Sequence, residues 1–398
     1  MANTADTGYK SNQLLFFKEI TEGQVPATID TAYALSPLSM NFDRIQRTET
    51  NTLLANGGQP SKTDTGGEDP AGSFELKCTP DWDVLLTQAV IGEYTTKTVN
   101  TDVRADSTAY IVDDIVILGT DVLVCITAGT SDVDAVAITA LATPAKTGAL
   151  LIDGTVKWVI TKNKTAVNDY VGVLNNKVNT WGLLFTDTTV QGGGLSHNTL
   201  GRGVSINNMS IGKESGVVVA KTSHNVIAHG ALSDTQDGYT APTITEQVLL
   251  QDNAYKRDEV CVLIDGVAPS QVESIMLNIE RAITVTDAVA CIEVAGVKTS
   301  EKITTIGTPV ISGNLVARFS TERFAQAFNN EEQELVIEYR KPTGEFSRYT
   351  IPRTQLLDAT KAYDTSKPIT IDIPLNAYGD ISQEGISYEV RSFLDYTK

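Results

Sequence analysis

The sequence predicts a mainly β protein, and three observations predict it. Apolar and polar residues alternate through much of the chain. Ile275, Leu277 and Ile279 alternate with Met276, Asn278 and Glu280; Leu335, Ile337 and Tyr339 with Glu334, Val336, Glu338 and Arg340; Ile369, Ile371, Ile373 and Leu375 with Thr370, Asp372 and Pro374. A period of two marks a strand with one buried face. Thr and Val are abundant, and β-branched side chains suit a pleated surface. Turn signals separate the runs: Lys341-Pro342-Thr343-Gly344 joins 334–340 to 345–351 as a hairpin.

Two helices interrupt this pattern. Thr79 is a good N-cap, and Pro80 fits the first helical position, where no amide hydrogen is missed. Trp82, Leu85, Leu86, Ala89 and Val90 then form one apolar stripe. The second helix starts at Ser320, carries Phe324, Ala327 and Phe328 on one face, and ends at Asn329 and Asn330. Each is expected to close over one face of a sheet.

The surroundings of the two helices look alike. Met40-Asn41-Phe42-Asp43-Arg44 matches Leu277-Asn278-Ile279-Glu280-Arg281 in residue type. Downstream, Gly72 and Gly313 each open an alternating strand that runs into a helix cap, at Thr79 and Ser320. This suggests a duplicated unit of strand, long loop, strand and helix. The first long loop is 56–71 (NGGQPSKTDTGGEDPA), which lacks apolar anchors; loops of that length are usually functional or disordered. The stretch 98–165 has a different character, with short strands at 110–118 and 121–127 and a loop at 143–148. A hairpin follows, with 151–152 and 155–160 flanking Asp153-Gly154. It reads as a small β module inserted at a surface connection. The resulting division is 1–97, the insert 98–165, 166–265 as the remainder of the first unit with a linker, and 266–398.

Length and composition fit this division. The chain has 398 residues, a soft prior of two or three domains, and 41% hydrophobic residues, enough for a real core. The formal net charge is −18. That argues against gripping nucleic acid or anionic lipid, both of which call for clustered Lys and Arg, and leaves open a surface whose job is to repel. No run approaches a membrane helix, and the apolar run 14–17 meets Lys18 and Glu19 at once, so it fails as a signal peptide. Cys78, Cys125, Cys261 and Cys291 lie far apart without a C-x-x-C pair. Buried, inert thiols in a reducing compartment are expected.

The sequence carries few patterns of catalytic or metal-binding chemistry. His197, His224 and His229 stand at no metal-ligand spacing, and no G-x-S-x-G is present. Gly192-Gly193-Gly194 and Gly201-Arg202-Gly203 form no phosphate-binding motif and read as flexible linker. Asp113-Asp114 and the Asp132/Asp134 pair lack a calcium-loop pattern and read as solvated turn carboxylates. No cofactor, metal or enzymatic activity is expected. In the insert, Tyr110 and Trp158 have two readings: packing in a small core, or stacking on a sugar.

Several of these stretches together resemble the tail tube proteins of bacteriophages with long, non-contractile tails. The resemblance is carried by 40–44, by Arg47-Thr48-Glu49, and by Ala71-Gly72-Ser73-Phe74-Glu75-Leu76 leading into the first helix. It continues in 203–211 (GVSINNMSI), in 313–319, in Tyr349-Thr350-Ile351-Pro352-Arg353 and in Pro374-Leu375-Asn376-Ala377. The insert, through 108–110, 114–116, 125–131 (CITAGTS) and 153–158 (DGTVKW), is similar to a carbohydrate-binding-like module that recurs in phage structural proteins. Leu123 and Val124 stand where that module usually offers an aromatic before its cysteine.

The resemblance implies two related β-sandwich or barrel units, each with a packed short helix, plus the inserted module. It implies a virion tail protein, made in the host cytoplasm, whose copies join edge to edge into rings that stack into a tube. Six positions per ring would be filled by three two-unit chains, in preference to a hexamer of chains. Tape-measure, terminator and distal-tail proteins are the further partners, and no membrane is involved. DNA would cross the lumen without specific binding, past carboxylates for which Glu280, Glu334 and Glu338 are candidates; an outer solvated face is the alternative for them. Asn56, Gly57, Pro60, Asp64, Gly67 and Asp69 are candidates for contact with the adjacent ring. The rival implication is a virion decoration or adhesin that binds host carbohydrate through 98–165, with Tyr110 and Trp158 as its contacts.

Overall fold

A computed structural model describes residues 13–43, 46–55, 59–68, 70–99, 102–119, 121–133, 150–160, 167–174, 179–187, 197–214, 216, 218–233, 242–249, 254–269, 272–294, 297–318, 332–357, 360–362, 369–377, 385–393 and 396. The expected second helix and the 143–148 loop lie outside these residues.

The alternating runs form strands Val272–Val294, Glu332–Arg340 and Thr370–Ala377, and their apolar positions enter one core. Ile369 precedes its strand and stays exposed. These strands belong to one large sheet. Ser39–Asp43, Ala71–Lys77, Lys221–Ile227, His197–Lys213, Val272–Val294, Val297–Arg318 and Thr370–Ala377 pair antiparallel in that order. Pairing then passes through Phe346–Leu356 to Ser387–Ser392, Val167–Val173 and Tyr94–Val99. His197–Lys213 also pairs with Trp181–Asp187, which leads to Gln13–Lys18, Thr28–Leu35 and the parallel Thr243–Leu249.

The helix Pro80–Val90 lies inside this wrapper, against His197–Lys213, Phe346–Leu356 and Ser387–Ser392. Its start follows the sequence: Thr79 is the N-cap, its Oγ1 accepts from the Trp82 backbone N–H at 3.2 Å, and Pro80 follows. The apolar stripe understates its burial, because all of its residues are buried, Asp81 and Asp83 included. Asp81 accepts from Ser392 Oγ at 2.8 Å. Asp83 Oδ2 has no hydrogen-bond partner. Burial pushes the Asp83 carboxyl up to about 7; a hydrogen bond from Ser347 opposes this and the charge of Asp81 adds to it.

Three local expectations are corrected. The segment 56–71 is no long loop. Gln59–Glu68 is a strand paired with Gln46–Ala55, and the two form a ribbon of their own. Backbone pairing alone satisfies such a ribbon, so no apolar alternation is needed to make it a strand. Gly201-Arg202-Gly203 is no linker either: it lies buried within His197–Lys213. Of the thiols described, Cys78 and Cys125 are buried, but Cys261 is exposed on a strand whose alternate residues, Val260 and Val262, take the inner face.

Within 102–133 and 150–160, five of the described strands form a sheet separate from the large one, and Ala109–Tyr110 and Gly129–Thr130 form a second, two-stranded one. This stretch interrupts the connection between Tyr94–Val99 and Val167–Val173, which pair directly with Val99 opposite Val167. The 110–118 run is two short strands, split by a turn in which Asp113 has φ +76°. The hairpin turn falls at Gly154-Thr155, one residue later than the Asp153-Gly154 signal, with Asp153 opposite Val156. Asp153 is fully buried and accepts from Arg104 Nε at 3.0 Å and Nη2 at 2.8 Å, from the Asp132 backbone N–H at 2.8 Å and from Trp158 Nε1 at 3.1 Å. A buried carboxylate is tolerable when satisfied in this way.

The module is docked on the body rather than tethered beside it. Ile115, Val122, Val124 and Val159 cluster with Val167 and Phe393. Gly344, at φ +89°, lies so close that a Cβ there would meet Val124 Cγ1 at 2.9 Å. Asp113, read from sequence as a solvated turn carboxylate, instead accepts from Arg340 Nη1 at 2.9 and 3.0 Å and from Arg391 Nη1 at 3.4 Å. Those guanidiniums stack near the Phe346 ring, at 4.8 and 5.0 Å from its centroid. Asp tolerates positive φ in a turn, and this turn is held by the Ile111 N–H on Asp114 Oδ2 at 2.7 Å and the Asp113 N–H on the Cys125 carbonyl at 2.9 Å.

Two outcomes follow from this packing. Between the unfolded Asp pKa of 3.8 and the folded value of about 7, the folded chain holds a proton that the unfolded chain has released. Stability therefore falls as pH rises through that window and is flat above it, by on the order of 4 kcal/mol for a three-unit shift. Glu19, also raised to about 7 by burial against the hydrogen bonds of Gly203 and Gly23, adds a fall of the same sign. Asp83→Asn is expected to raise the melting temperature at pH 8 and leave it nearly unchanged at pH 4; a loss of stability at pH 8 would contradict the assignment. Asp113→Asn keeps the turn but removes the charge, and should cost about 1 kcal/mol at the dock. Hydrogen exchange should then speed up at Val122–Ile126 with the body unaffected, whereas unchanged exchange would show that the apolar contacts suffice.

Candidate conduit and assembly surfaces

The seven strands from Ser39–Asp43 to Thr370–Ala377 turn their apolar side chains inward. Phe74, Leu76, Val226, Met209, Ile211, Leu277, Ile279, Leu315 and Ile373 all enter the core. His224 joins them: it is fully buried, stacks on Phe74 at 5.0 Å, and burial pushes its pKa down to about 3, so it stays neutral.

Because side chains alternate across a strand, the partners of these core residues share the outer face. The pairing register aligns them into two rows that cross the sheet. One row runs Ser39, Glu75, Ser223, Ser210, Asn278, Ser312 and Asn376; the other runs Asn41, Ser73, Asn225, Asn208, Glu280 and Val310. Neighbours bond across strands: Asn208 Nδ2 donates to Asn278 Oδ1 at 2.8 Å, and Ser210 Oγ and Ser223 Oγ are 2.8 Å apart. The charge of Glu75 is matched by Lys221 at 2.8 Å. The face is thus broad and rich in amides and hydroxyls, about 29 Å wide at ~4.8 Å per strand gap, and it also carries Glu280 and Lys77, the latter directly opposite Lys221.

The three candidate carboxylates separate. Glu280 lies on this face and is exposed. Glu338 lies elsewhere, between Arg340 Nε at 2.7 Å and Arg348 Nε at 2.7 Å. Burial pushes its carboxyl up, but the hydrogen bonds and charges of Arg340 and Arg348 outweigh burial and hold it below the ordinary range. Arg340 also grips Asp113, so Glu338 shares its face with the docked module. Glu334 is exposed on the same strand, its backbone N–H donating to Asp265 Oδ1 at 2.8 Å.

Two ribbons extend this sheet. Ser39–Asp43 and Ala71–Lys77 lead into the Gln46–Ala55/Gln59–Glu68 ribbon, the first arm; Pro60, Asp64 and Gly67 lie on its second strand, while Asn56, Gly57 and Asp69 fall outside the described residues. Val272–Val294 and Val297–Arg318 continue past their neighbours as the second arm, pairing Ile283 with Ile306 and Val294 with Val297. In this chain neither ribbon is paired on its outer edges among the described residues. Free edges of this kind are templates for another strand, and an isolated ribbon is marginal in water. Ile303 and Val310 add exposed apolar surface, 52% and 62% accessible.

The insert's aromatic candidates are placed differently from each other. Trp158 is fully buried, its indole committed to Asp153, so neither ring face is open to a sugar. Tyr110 is half-buried, edge-on to Trp158 at 4.9 Å, with its hydroxyl accepting from the Ala105 backbone N–H at 2.8 Å. The CITAGTS and DGTVKW stretches serve the framework. Ser131 Oγ donates to the Ala105 carbonyl at 2.7 Å, and a Cβ on Gly154 would strike the Thr130 carbonyl at 2.5 Å.

The polar face and the docking role of Asp113 were not read from the sequence. The available signal was the choice of Asn and Ser at the polar positions of 39–41, 73, 208–210, 223–225, 278 and 312. Among the described residues, no group of His, Cys, Asp and Glu is arranged to hold a metal, and no helix is long and apolar enough to cross a membrane. No curated protein matches the chain in direct sequence comparison. The comparison with family models does give a match, over residues 10–377, to a family of structural virion tail components rather than enzymes. With that match spanning nearly the whole chain, on a mainly β fold with open ribbons, the protein belongs to the phage tail tube protein family.

Proposed function

We propose that copies of this chain join through their free strand edges into rings, that the rings stack into the tail tube, and that the Asn/Ser face lines the bore through which DNA leaves. The observation that supports this most is the contrast between the two outward faces. One carries a docked module of some sixty residues, whose bulk suits the outside of a tube. The other is wide and dominated by Asn and Ser, and of the two lysines that face each other on it, Lys77 and Lys221, the second is paired with Glu75, which leaves little to hold a passing phosphate. Glu280 remains a bore candidate on this reading, while Glu334 and Glu338 go to the outer side.

The two strand pairs with arms support a two-unit chain, divided as 1–97 with 166–265 and as 266–398. Two arms per chain favour three chains per ring over six. The arms, including Pro60, Asp64 and Gly67, are the proposed contacts with the adjacent ring and with the other tail proteins at the tube ends.

Electron microscopy of the purified protein tests assembly: stacked rings with six repeating positions are expected, and isolated particles at high concentration would refute it. The bore assignment has its own test. Placing Arg at Asn208 and Asn278 together should leave tube length unchanged and slow genome ejection severalfold, more so at low salt, since each phosphate contact adds salt-dependent affinity. Unaltered ejection kinetics from virions carrying both changes would move the face out of the bore.

A further inference from the structure

The second arm leaves the body at a bulge. Arg281 pairs with Pro309 and Ile283 with Ile306, so the register shifts at Ala282. Gly307 stands opposite, where a Cβ would meet Ala282 Cβ and its carbonyl at 3.0 Å. A bulge bends a ribbon and changes its twist, so the direction of the arm is decided here. On the body side the bulge is anchored. Arg281 is fully buried, and its Nη2 donates to the Ile91 carbonyl at 3.0 Å, at the C-terminal end of the helix, where a cation is favoured.

On the arm side, Thr304 reaches back: its Oγ1 lies 2.5 Å from His229 Nε2. The imidazole is itself held with unusual care. It is 3% exposed, and the Nε2 that meets Thr304 is shared with Glu22 Oε1 at 3.1 Å. Its ring rests on two glycines in the left-handed region, Gly23 at φ +71° and Gly203 at φ +60°, where a Cβ would approach the ring to 2.6 and 2.4 Å. The Glu19 carboxylate joins the same two glycines, accepting from Gly203 N–H at 2.7 Å and Gly23 N–H at 2.9 Å. Arg202 Nη1 donates to the Gly23 carbonyl at 3.3 Å, and the His229 backbone N–H donates to the Arg202 carbonyl at 3.0 Å. The charged groups around the ring are Glu22, Arg202 and Lys302, with Glu19 behind the glycines. Three separate chain segments therefore converge on one side chain whose outward atom meets the arm.

We propose that His229 is the positioning residue of the second arm: through Thr304 it fixes the angle at which the ribbon leaves the body, and so presents Ile303, on the opposite side of the strand from Thr304, to a second copy of the chain. The presentation to a second copy rests on the assembly reading above; the clamp between His229 and Thr304 does not.

Thr304→Val keeps the shape and removes the hydroxyl, Thr304→Ser keeps the hydroxyl, and His229→Gln tests the other partner. Backbone hydrogen exchange on the full, unassembled chain reads the clamp, and electron microscopy of tube growth reads its use. Thr304→Val is expected to speed exchange across 283–306 by about fivefold to tenfold, the loss of roughly one hydrogen bond, with the melting temperature held. His229→Gln should do the same, and Thr304→Ser should match the unaltered chain. Unchanged exchange in Thr304→Val, or an equal rise in Thr304→Ser, overturns the proposal even if His229→Gln fails to fold. A loosened arm with shorter or fewer tubes supports both steps. A loosened arm with normal tube growth supports the clamp and overturns the arm as an assembly contact.

Discussion

An eleven-residue helix that carries two aspartates can be hidden on every side only if sheet surrounds it, and that burial governs the rest of this structure. Each strand that covers Pro80–Val90 must turn an apolar face inward, which commits its alternate residues to the outside. The tyrosines around the helix show how tightly the enclosure is specified. Tyr349 OH is 3.0 Å from Thr87 Oγ1, Tyr255 OH is 2.9 Å from Ser347 Oγ, and Tyr339 OH both accepts from and donates to Gly212, at 2.6 and 3.0 Å. These contacts draw residues from 80–90, 205–213, 255, 339 and 347–349 into one polar lattice, so neither half of the chain completes the core alone.

Once the inner face is spent on the helix, function must reside on the outer faces and on the free edges. The two outer faces have opposite chemistry. One presents paired charges, Glu338 with Arg340 and Arg348, and Asp169 with Arg391 at 2.7 Å, on which the inserted module is seated. The other presents mainly amides and hydroxyls, with the Glu75–Lys221 pair, Lys77 and Glu280 among them. The arms belong to the second, since both continue the strand pairs that build it. A single construction rule, strand pairs that run on past their sheet, thus supplies a face and its connecting edges together.

Much of this was legible in the sequence, and the reasons differ element by element. The Thr79-Pro80 helix start is local chemistry and reads directly, as does the inward set Ile275, Leu277 and Ile279. The first arm was hidden because QRTETNTLLA and QPSKTDTGGE lack the period that marks other strands, and among the described residues the two pair with each other rather than with the large sheet. The Asn/Ser rows were hidden for another reason. Ser210 falls opposite Ser223 only because the register shifts between Ile206 and Asn208, and no window of sequence contains both strands. Asp113 read as solvated because its partners, Arg340 and Arg391, arrive from more than two hundred residues away.

The net charge of −18 suggested a surface that repels DNA by carboxylates, yet on the two rows of the face proposed for the bore the carboxylates are Glu75, paired with Lys221, and Glu280. Magnitudes favour the neutral solution. A carboxylate and a phosphate 10 Å apart repel by only about 0.4 kcal/mol in water before screening, and a Debye length of about 8 Å at physiological salt removes most of that. A repelling wall would thus act weakly and vary with the ionic strength of the medium. A wall of short amides and hydroxyls keeps its hydration at any salt and offers each phosphate the same contact at every position along the tube. Its ladder bonds, such as Asn208 to Asn278, also tie up donors that would otherwise reach for phosphate oxygens. On the proposed reading of this face as the bore, low friction would come from uniformity of weak contacts rather than from repulsion.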